Sequence, residues 1–269
     1  MSFYTSLNGL KNAQASLATI SHNIANSETY GFKRGKVEFS EIVAGSALSN
    51  PRTIQGIGAS VEAITQNFAL GPLEQTGSAL DLAITGDGFF TMRSESGDTL
   101  YTRSGSFTIN DVGEIIDSSG NRLQTYPVDE DGATTANTLQ NTTIPALNDD
   151  GAEYAGLSVG KDGVVRASYA DGSVEPVGMV ALASFIAPTG LKAVGSSNWQ
   201  STGFSGPAKY GEPGEGQYGA LLSGALERSN VDIAEELVGL ITAQRNFQAN
   251  AKAIDTATQI SQTVINLRS

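Results

Sequence analysis

The six residues Gly214 to Gly219 read GEGQYG, which formally matches the G-x-G-x-x-G pattern of a dinucleotide-binding loop. In such a loop the glycines let the backbone approach a pyrophosphate at the N-terminus of a helix that follows a strand. Here the sequence KYGE and Pro213 precede the pattern instead of a strand, and Glu215 would repel the phosphates. The pattern therefore predicts a flexible linker and no nucleotide site.

Residues that could bind a metal ion are equally sparse. Asp129, Asp131 and Gly132 resemble the start of a calcium loop, but the closing bidentate glutamate would fall at Gln140. An acidic β-turn is the simpler interpretation. The only histidine, His22, has no second histidine or cysteine with which to share a metal, because the chain contains no cysteine. We therefore expect neither a metal nor a cofactor.

Carboxylate pairs that could catalyse hydrolysis occur only as sequence neighbours, as in Asp149/Asp150 and Glu235/Glu236. Two neighbouring residues on a helix diverge by about 100° and cannot flank a bond. Acids brought together from distant strands stay possible, so a hydrolytic or carbohydrate-binding β domain remains a remote alternative. The aromatic content of 7% and the single Trp199 give that alternative little support.

The composition excludes some partners. The chain has 269 residues and a net charge of -12, which argues against nucleic acid because phosphate backbones need Lys and Arg as partners. No apolar run reaches the roughly 18 residues of a membrane span, so we expect no membrane insertion. The N-terminus MSFYTSLNGLKNAQ has no charged-then-apolar signal pattern. If the protein is exported, we expect a route without a cleavable signal peptide.

Apolar residues recur at spacings of three and four at both ends of the chain, which is typical of one face of an α-helix. The N-terminal stripe comprises Phe3, Leu7, Leu10, Ala13, Leu17, Ile20 and Ile24. The C-terminal stripe comprises Ile233, Leu237, Leu240, Ala243, Phe247, Ala251, Ile254, Ala257, Ile260, Val264 and Leu267. About 36 helical residues would span roughly 54 Å, which exceeds the core of a small domain. We therefore predict that the helices pair with other helices in a coiled-coil-like manner, and that the stripes are a subunit interface.

The middle of the chain changes to short β-branched and aromatic runs separated by turn signals such as Asp162-Gly163 and Asp171-Gly172. The predicted fold class is α+β, with long terminal helices bracketing a mainly antiparallel β domain. The predicted domain organisation has five parts. They are a helical domain (1–28 and 229–269), an extended connector (29–70), the β domain (71–126 and 156–202), a reduced insert or loop (127–155) and a Gly-rich linker (203–228).

Three stretches of the sequence are more specific than these general patterns. They are ATISHNIANSETYGFKR near the N-terminus, SALDLAITGDGFF with YTRSGSFTINDVGEIIDSSGNRLQTY in the β region, and GALERSNVDIAEELVGLITAQRNFQANAKAIDTATQISQTVINLR at the C-terminus. In this order they resemble the bacterial flagellar rod and hook axial family, and the tail is closer to the hook protein than to the distal rod protein. The motif residues that carry the resemblance are Asn23, Asn26, Tyr30, Gly31, Phe32, Lys33, Ser229, Asn230, Val231, Gln244 and Arg245.

The resemblance implies a structural subunit of the flagellar hook and no enzymatic activity. Such a subunit polymerises with itself into a hollow helical tube, a flexible joint between rod and filament that forms part of the export channel. The resemblance further implies contacts with distal rod and hook-filament junction proteins, the hook cap and the export apparatus, and a location in the extracellular hook. Hook proteins usually carry a sizeable outer domain where this chain has only about residues 127–155. The distal rod protein of the same family therefore stays the alternative.

Overall fold

The computed structural model describes residues 2–44, 55–148 and 150–266. One helix at each end of the chain brackets a mostly antiparallel β region, so the α+β fold class is confirmed. The chain divides into two compact units. The first comprises Met1–Ser27, Arg34–Asn67 and Val231–Ser269, and the second comprises Glu28–Lys33 and Phe68–Asn230. In the described part of the chain, no helix is long and apolar enough to cross a membrane.

The first unit, called the helical unit below, contains the two helices and a β-hairpin. Helix α1 spans Ser2–Ala25, helix α2 spans Ile233–Asn266, and strands β1 (Gly35–Ala44) and β2 (Gln55–Gln66) pair antiparallel. Helix α1 also contacts the hairpin, where the Asn12 side-chain amide donates a hydrogen bond of 2.8 Å to the Ala59 carbonyl. Helix α2 begins with Asp232, whose carboxylate accepts a hydrogen bond of 2.8 Å from the Ala234 N–H. This contact satisfies one of the free N–H groups of the first turn.

Small residues let the two helices approach closely. A Cβ atom added at Gly9 would lie 2.4 Å from Oδ1 of Asn250, and one added at Gly239 would lie 3.4 Å from Cδ1 of Ile20. The N-terminal half of α1 therefore faces the middle of α2, and the C-terminal half of α1 faces the start of α2. The helices therefore run antiparallel. Gly9 and Gly239, which are not part of the predicted apolar stripes, lie at their contact.

The second unit, called the β unit below, consists of short strands joined by tight turns. Its strands are β3 (Leu73–Gln75), β4 (Leu82–Thr85), β5 (Phe89–Arg93), β6 (Thr99–Thr102), β7 (Thr108–Ile109), β8 (Ile115–Ile116), β9 (Arg122–Tyr126), β10 (Gln140–Asn141), β11 (Tyr154–Val159), β12 (Val164–Tyr169), β13 (Val174–Val180), β14 (Leu182–Ser184), β15 (Lys192–Gly195), β16 (Asn198–Gln200), β17 (Lys209–Gly211), β18 (Ala220–Ser223) and β19 (Ala225–Glu227). The large sheet has the order β11-β12-β13-β9-β5-β6-β16-β15, while β18 pairs with β4 and β19 pairs with β3. Fully buried side chains such as Phe90, Met92 and Leu182 form its core.

Three of the predicted segments contain strands that the prediction did not name. Residues 29–70 contain the β1–β2 hairpin and are not simply an extended connector. Residues 127–155 contribute strand β10, which pairs with β9, and the core residue Ile144. Residues 203–228 contain β17, β18 and β19 and are not a linker, because their apolar residues Leu221 and Leu226 are buried in the β unit. In residues 203–228 the frequent glycines suggested a flexible segment, although the short strands there pair with distant strands.

The formal motifs also have structural explanations. The GEGQYG segment is a hydrogen-bonded turn between β17 and β18, in which the Gly214 N–H donates to the Gly219 carbonyl at 3.1 Å. Asp129 starts a β-turn, as expected, with its carbonyl accepting from the Gly132 N–H at 3.0 Å. The sequence GLSVG at 156–160 formally matches the G-x-S-x-G of hydrolases, but it lies in β11 and leads to another strand. A nucleophile elbow needs a strand followed by a helix.

Candidate functional site

The predicted interface residues of helix α1 lie partly against their own chain. Phe3 is exposed, and the other five are half-buried: Leu7, Leu10, Leu17, Ile20 and Ile24. Between them, Ala13 is buried. Helix α1 therefore uses most of this stripe within the helical unit, and a role of the stripe between subunits stays a prediction.

The predicted interface residues of helix α2 are more exposed. Ile233, Leu237 and Ile260 are exposed, whereas Leu240, Phe247 and Ile254 are half-buried. The side chain of Val264 and the whole of Leu267 lie outside the described residues. A large part of the apolar surface of α2 is therefore left uncovered by the described part of the chain.

Three further large apolar residues of α2 are exposed outside the predicted stripe: Val238, Ile241 and Ile265. Val238 and Ile241 are 65% and 50% exposed, next to Leu237 on the same helix. They were missed because only one stripe was followed along the helix. The spacing of three between Val238 and Ile241 was the available signal, since it marks a second apolar row. We call Ile233, Leu237, Val238, Ile241 and Ile260 the exposed α2 face.

The motif residue Asn23 is buried near the end of helix α1 and forms hydrogen bonds with Gly35 at the start of strand β1. Its side-chain amide donates to the Gly35 carbonyl and its oxygen accepts from the Gly35 N–H, both at 2.9 Å. The same amide lies 3.2 Å from Oε2 of Glu236 on helix α2. The helix end itself is capped by its neighbours, because the Asn26 amide donates to the His22 carbonyl and the Ser27 hydroxyl donates to the Ile24 carbonyl. Asn23 thus links α1, β1 and α2.

Arg34 links the start of the hairpin to helix α2. Its guanidinium donates two parallel hydrogen bonds of 3.0 Å to the Glu235 carboxylate, and its Nε lies 2.5 Å from Oε1 of the buried Glu236. The hydrogen bonds to Glu235 raise the pKa of Arg34 above its ordinary value. A bidentate contact of this kind fixes geometry as well as charge, so the start of α2 is held in place beside Asn23.

Lys33, the residue before Arg34, is fully buried in the β unit. Its ammonium donates to Oε1 of Glu227 at 2.5 Å and to the Ala69 carbonyl at 2.8 Å. The same Glu227 oxygen accepts from the Gly71 N–H at 2.8 Å, and Arg103 lies 3.7 Å from the other oxygen. Removal from water lowers the pKa of Lys33, and the Glu227 carboxylate opposes that shift. We call Lys33, Glu227 and Arg103 the buried ion cluster.

The remaining motif residues surround this cluster or lie on the surface. Gly31 has a φ of 68°, and a Cβ there would lie 2.4 Å from the Ser104 nitrogen, so only glycine fits. The Tyr30 hydroxyl lies 3.5 Å from Glu74, and Phe32 is half-buried. In the segment before α2, Ser229 is buried, Val231 is half-buried, and the Asn230 amide donates to the Ala69 carbonyl at 3.0 Å. Gln244 and Arg245 are exposed on α2.

The arrangement offers rigid anchoring rather than reactive groups. Within residues 2–44, 55–148 and 150–266 there is no group of three or more His, Asp or Glu side chains that could hold a metal. The cations of the family motif region are engaged in ion pairs within each unit: Lys33 with Glu227 in the β unit, and Arg34 with Glu235 and Glu236 in the helical unit. The motif residues thus position the chain where it leaves α1 and where it enters α2.

Comparisons with known proteins agree on one family. Three family models match: "Flagella basal body rod protein" over residues 3–33, "Flagellar hook protein FlgE/F/G D1 domain" over 83–167, and "Flagellar basal body rod FlgEFG protein C-terminal" over 222–267. The flagellar basal-body rod protein FlgG of Bacillus subtilis (strain 168) is 35% identical over 279 residues, covering 99% of this chain and 98% of the relative. The chain belongs to the flagellar rod and hook axial protein family. The family consists of structural proteins of the flagellum, not enzymes.

The relatives of this axial protein include both rod proteins and hook proteins. The rod protein FlgG of Caulobacter vibrioides is 36% identical over 279 residues and covers 98% of each chain. The flagellar hook protein FlgE of Salmonella typhimurium is 26% identical over 410 residues and covers 100% of each chain. The N-terminal family model includes the buried residues Asn23 and Lys33, and the C-terminal family model includes the buried residues Glu227 and Glu236. The buried contacts within each unit therefore involve parts of the chain that these family models cover.

Proposed function

We propose that this axial protein is a distal rod subunit of the bacterial flagellum. The observation that supports the proposal is the length of the alignments. The rod relatives align over 279 positions at 35 and 36% identity, close to the 269 residues of this chain. The alignment with the hook relative extends over 410 positions at 26% identity. A large part of the hook relative therefore has no counterpart in this chain of 269 residues. The hook, which sequence alone favoured, becomes the second candidate, supported by its full coverage of both chains.

In this proposal the subunit polymerises with itself into a hollow tube whose inner wall is built from the terminal helices. The exposed α2 face supports it, because apolar side chains left in water mark a contact surface. Helices paired at both termini would give long axial contacts, and an interface between different surfaces of each copy generates an open filament. The other flagellar axial proteins would join the ends of the tube, and the export apparatus would deliver its subunits.

Assembly is tested with the full chain at increasing concentration, by light scattering and negative-stain electron microscopy. We expect tubes or short polymers from the native chain. Ile241→Asp, on the exposed α2 face, should abolish them, as should a charge at Leu240 or Ile254. Val112→Asp is the matched control, because it adds the same charge at an exposed apolar residue of the β unit, away from helix α2. Normal polymers from Ile241→Asp would contradict the role of this face.

Rod and hook are distinguished in the bacterium that carries the gene. Deletion of the gene should leave an incomplete rod and no hook if the chain is a distal rod subunit. If the deletion strain builds a complete rod and lacks only the hook, the second candidate is correct. Basal bodies are isolated from the parent strain and from the deletion strain and are compared by electron microscopy. The presence or absence of a complete rod in the deletion strain distinguishes the two candidates.

A further inference from the structure

A phenylalanine of the β unit is presented to solvent on a tight turn. Phe204 is 89% exposed, although a phenylalanine is among the side chains that gain most from burial. Its turn is held by hydrogen bonds: the Thr202 hydroxyl donates to the Gly190 carbonyl at 2.6 Å, and the buried Ser205 hydroxyl donates to the Thr202 carbonyl at 2.9 Å. Ile186 on the neighbouring loop is 76% exposed. This loop is held to the turn by the Ala187 N–H, which donates a hydrogen bond to the Ser205 carbonyl. We call residues 202–206 the Phe204 turn.

The same unit contains a cavity that is not occupied by the Phe204 ring of its own chain. It has a volume of about 280 Å³, and its walls include Phe68, Phe89 and Phe185. The rings of Phe68 and Phe89 meet edge to face with centroids 5.3 Å apart, as do those of Phe89 and Phe185 at 5.7 Å. Asp87 and Gln217 line the cavity as polar groups. We call this the aromatic cavity.

The buried side chain of Arg103 forms part of the wall of the aromatic cavity. Its side chain is 3% exposed and its guanidinium lies 5.2 Å from the ring centre of Phe89. One nitrogen donates to the Gly86 carbonyl at 2.9 Å, whereas Nε has no partner among the described residues. The guanidinium charge thus lies over an aromatic ring of the cavity wall, where a cation is attracted to the face of the ring.

We infer that the Phe204 turn of one copy inserts into the aromatic cavity of a second copy, an inference that rests on the proposed polymerisation. The ring finds edge-to-face partners in the cavity walls. The turn and the cavity consist of different residues of the same unit. In the proposed polymer each turn enters the cavity of the next copy, so the contact is heterologous and propagates without closing.

Charge favours this element over others for a contact between β units. The formal charges of the β unit sum to -12, the net charge of the whole chain, so two β units repel each other at close range. The Phe204 turn has the sequence TGFSG and carries no charge. A neutral apolar turn can therefore approach the neighbouring unit where a charged loop would be disfavoured.

The absence of cysteine allows a direct test by cross-linking. Gly203→Cys places a thiol beside the intact Phe204 ring, and a side chain there meets nothing within 4 Å. Gln217→Cys places a second thiol at the aromatic cavity. The two single-cysteine proteins are mixed under polymerising conditions, oxidised and analysed on a non-reducing gel. We expect disulfide-linked pairs at about tenfold or more the yield obtained when Val112→Cys, exposed elsewhere on the β unit, replaces Gly203→Cys.

The second measurement is the concentration at which polymers form. Phe204→Ala should raise it by about tenfold or more, because the central aromatic anchor of an interface carries much of its affinity. Val112→Ala is the matched control and should leave it unchanged. If polymers form normally but the cross-link yield equals the control and Phe204→Ala has no effect, the inference is wrong while the proposed function stands. If the native chain forms no polymer, both fall.

Discussion

Neutralising Glu227 should destabilise the β unit more than removing Lys33, although both belong to the same ion pair. Both side chains are completely shielded from solvent, and their charged atoms lie 2.5 Å apart. Removal of one partner of a buried ion pair typically costs about 3–5 kcal/mol, because the other charge stays buried without compensation. The two substitutions differ in what they leave behind.

Lys33→Met leaves the Glu227 carboxylate with two partners, the Gly71 N–H at 2.8 Å and Arg103 at 3.7 Å. We therefore expect a cost at the lower limit, about 3 kcal/mol. Glu227→Gln leaves two buried cations, Lys33 and Arg103, without this anion, so we expect about 4–5 kcal/mol. The double variant should cost less than the sum of the two single variants, because the residues contact each other.

Urea unfolding followed by Trp199 fluorescence measures these costs. Trp199, the only tryptophan, is buried in the β unit, with its ring centre 5.4 Å from that of Phe68, so it reports on the unit that contains the cluster. With an m-value of about 2 kcal/mol/M, the midpoint should fall by roughly 1.5 M for Lys33→Met and by at least about 2 M for Glu227→Gln.

Asp162→Asn is the control, because the Asp162 and Arg166 side chains form an ion pair that is largely exposed. Exposed pairs contribute roughly 0–1 kcal/mol. The reasoning is refuted if Glu227→Gln costs less than Lys33→Met, or if Glu227→Gln changes the midpoint no more than the control does.

Three further predictions concern acid stability, the contact of Asn23 with Gly35, and assembly. The Arg122 hydrogen bond to Glu114 lowers the pKa of this carboxyl below its ordinary value of 4.5, so its stabilising effect is complete above that pH and disappears as the pH falls through the lowered pKa. Glu114→Gln should therefore reduce the pH dependence of unfolding between about pH 5 and 2, measured by Trp199 fluorescence; an unchanged dependence would count against it. Asn23→Ala should cost about 1–3 kcal/mol by leaving the Gly35 N–H and carbonyl without their partner, and hydrogen exchange should show faster exchange at Gly35 than in Asn26→Ala. Raising the salt from about 0.02 to 0.3 M should lower the concentration needed for polymers, because it screens the -12 charge; the opposite response would show that attraction between charges drives assembly.

The terminal helices could be predicted from the sequence because their signal is local. A spacing of three and four places Leu7, Leu10, Leu237 and Leu240 on helix faces whatever the rest of the chain does. Helices α1 and α2 indeed cover most of the predicted stretches. The absence of cysteine, the single histidine and the charge of -12 are likewise properties of composition. They excluded disulfides and favoured protein partners over nucleic acid.

The short strands of the β unit were harder to predict, because a strand of three residues has no pattern of its own. Residues 203–228 looked like a linker, yet β17, β18 and β19 form there by pairing with β14, β4 and β3. Hydrogen bonds across a ladder depend on the partner strand, which lies far away in sequence. The glycines that suggested flexibility instead occupy the positive φ positions of the turns, as at Gly214 and Gly224.

The sequence alone determined the helical ends, the antiparallel β middle and the family motif, because repeat spacing and residue type are sufficient for each of them. Only the tertiary structure showed that Asn23 holds Gly35, that Arg34 pairs with Glu235 and Glu236, and that Lys33 is buried against Glu227. Glu227 is 194 residues from Lys33 in the sequence, and no local pattern identifies the partner of a charge across that distance. Removal of either partner is costly because the pair is buried, and burial is a property of the folded chain.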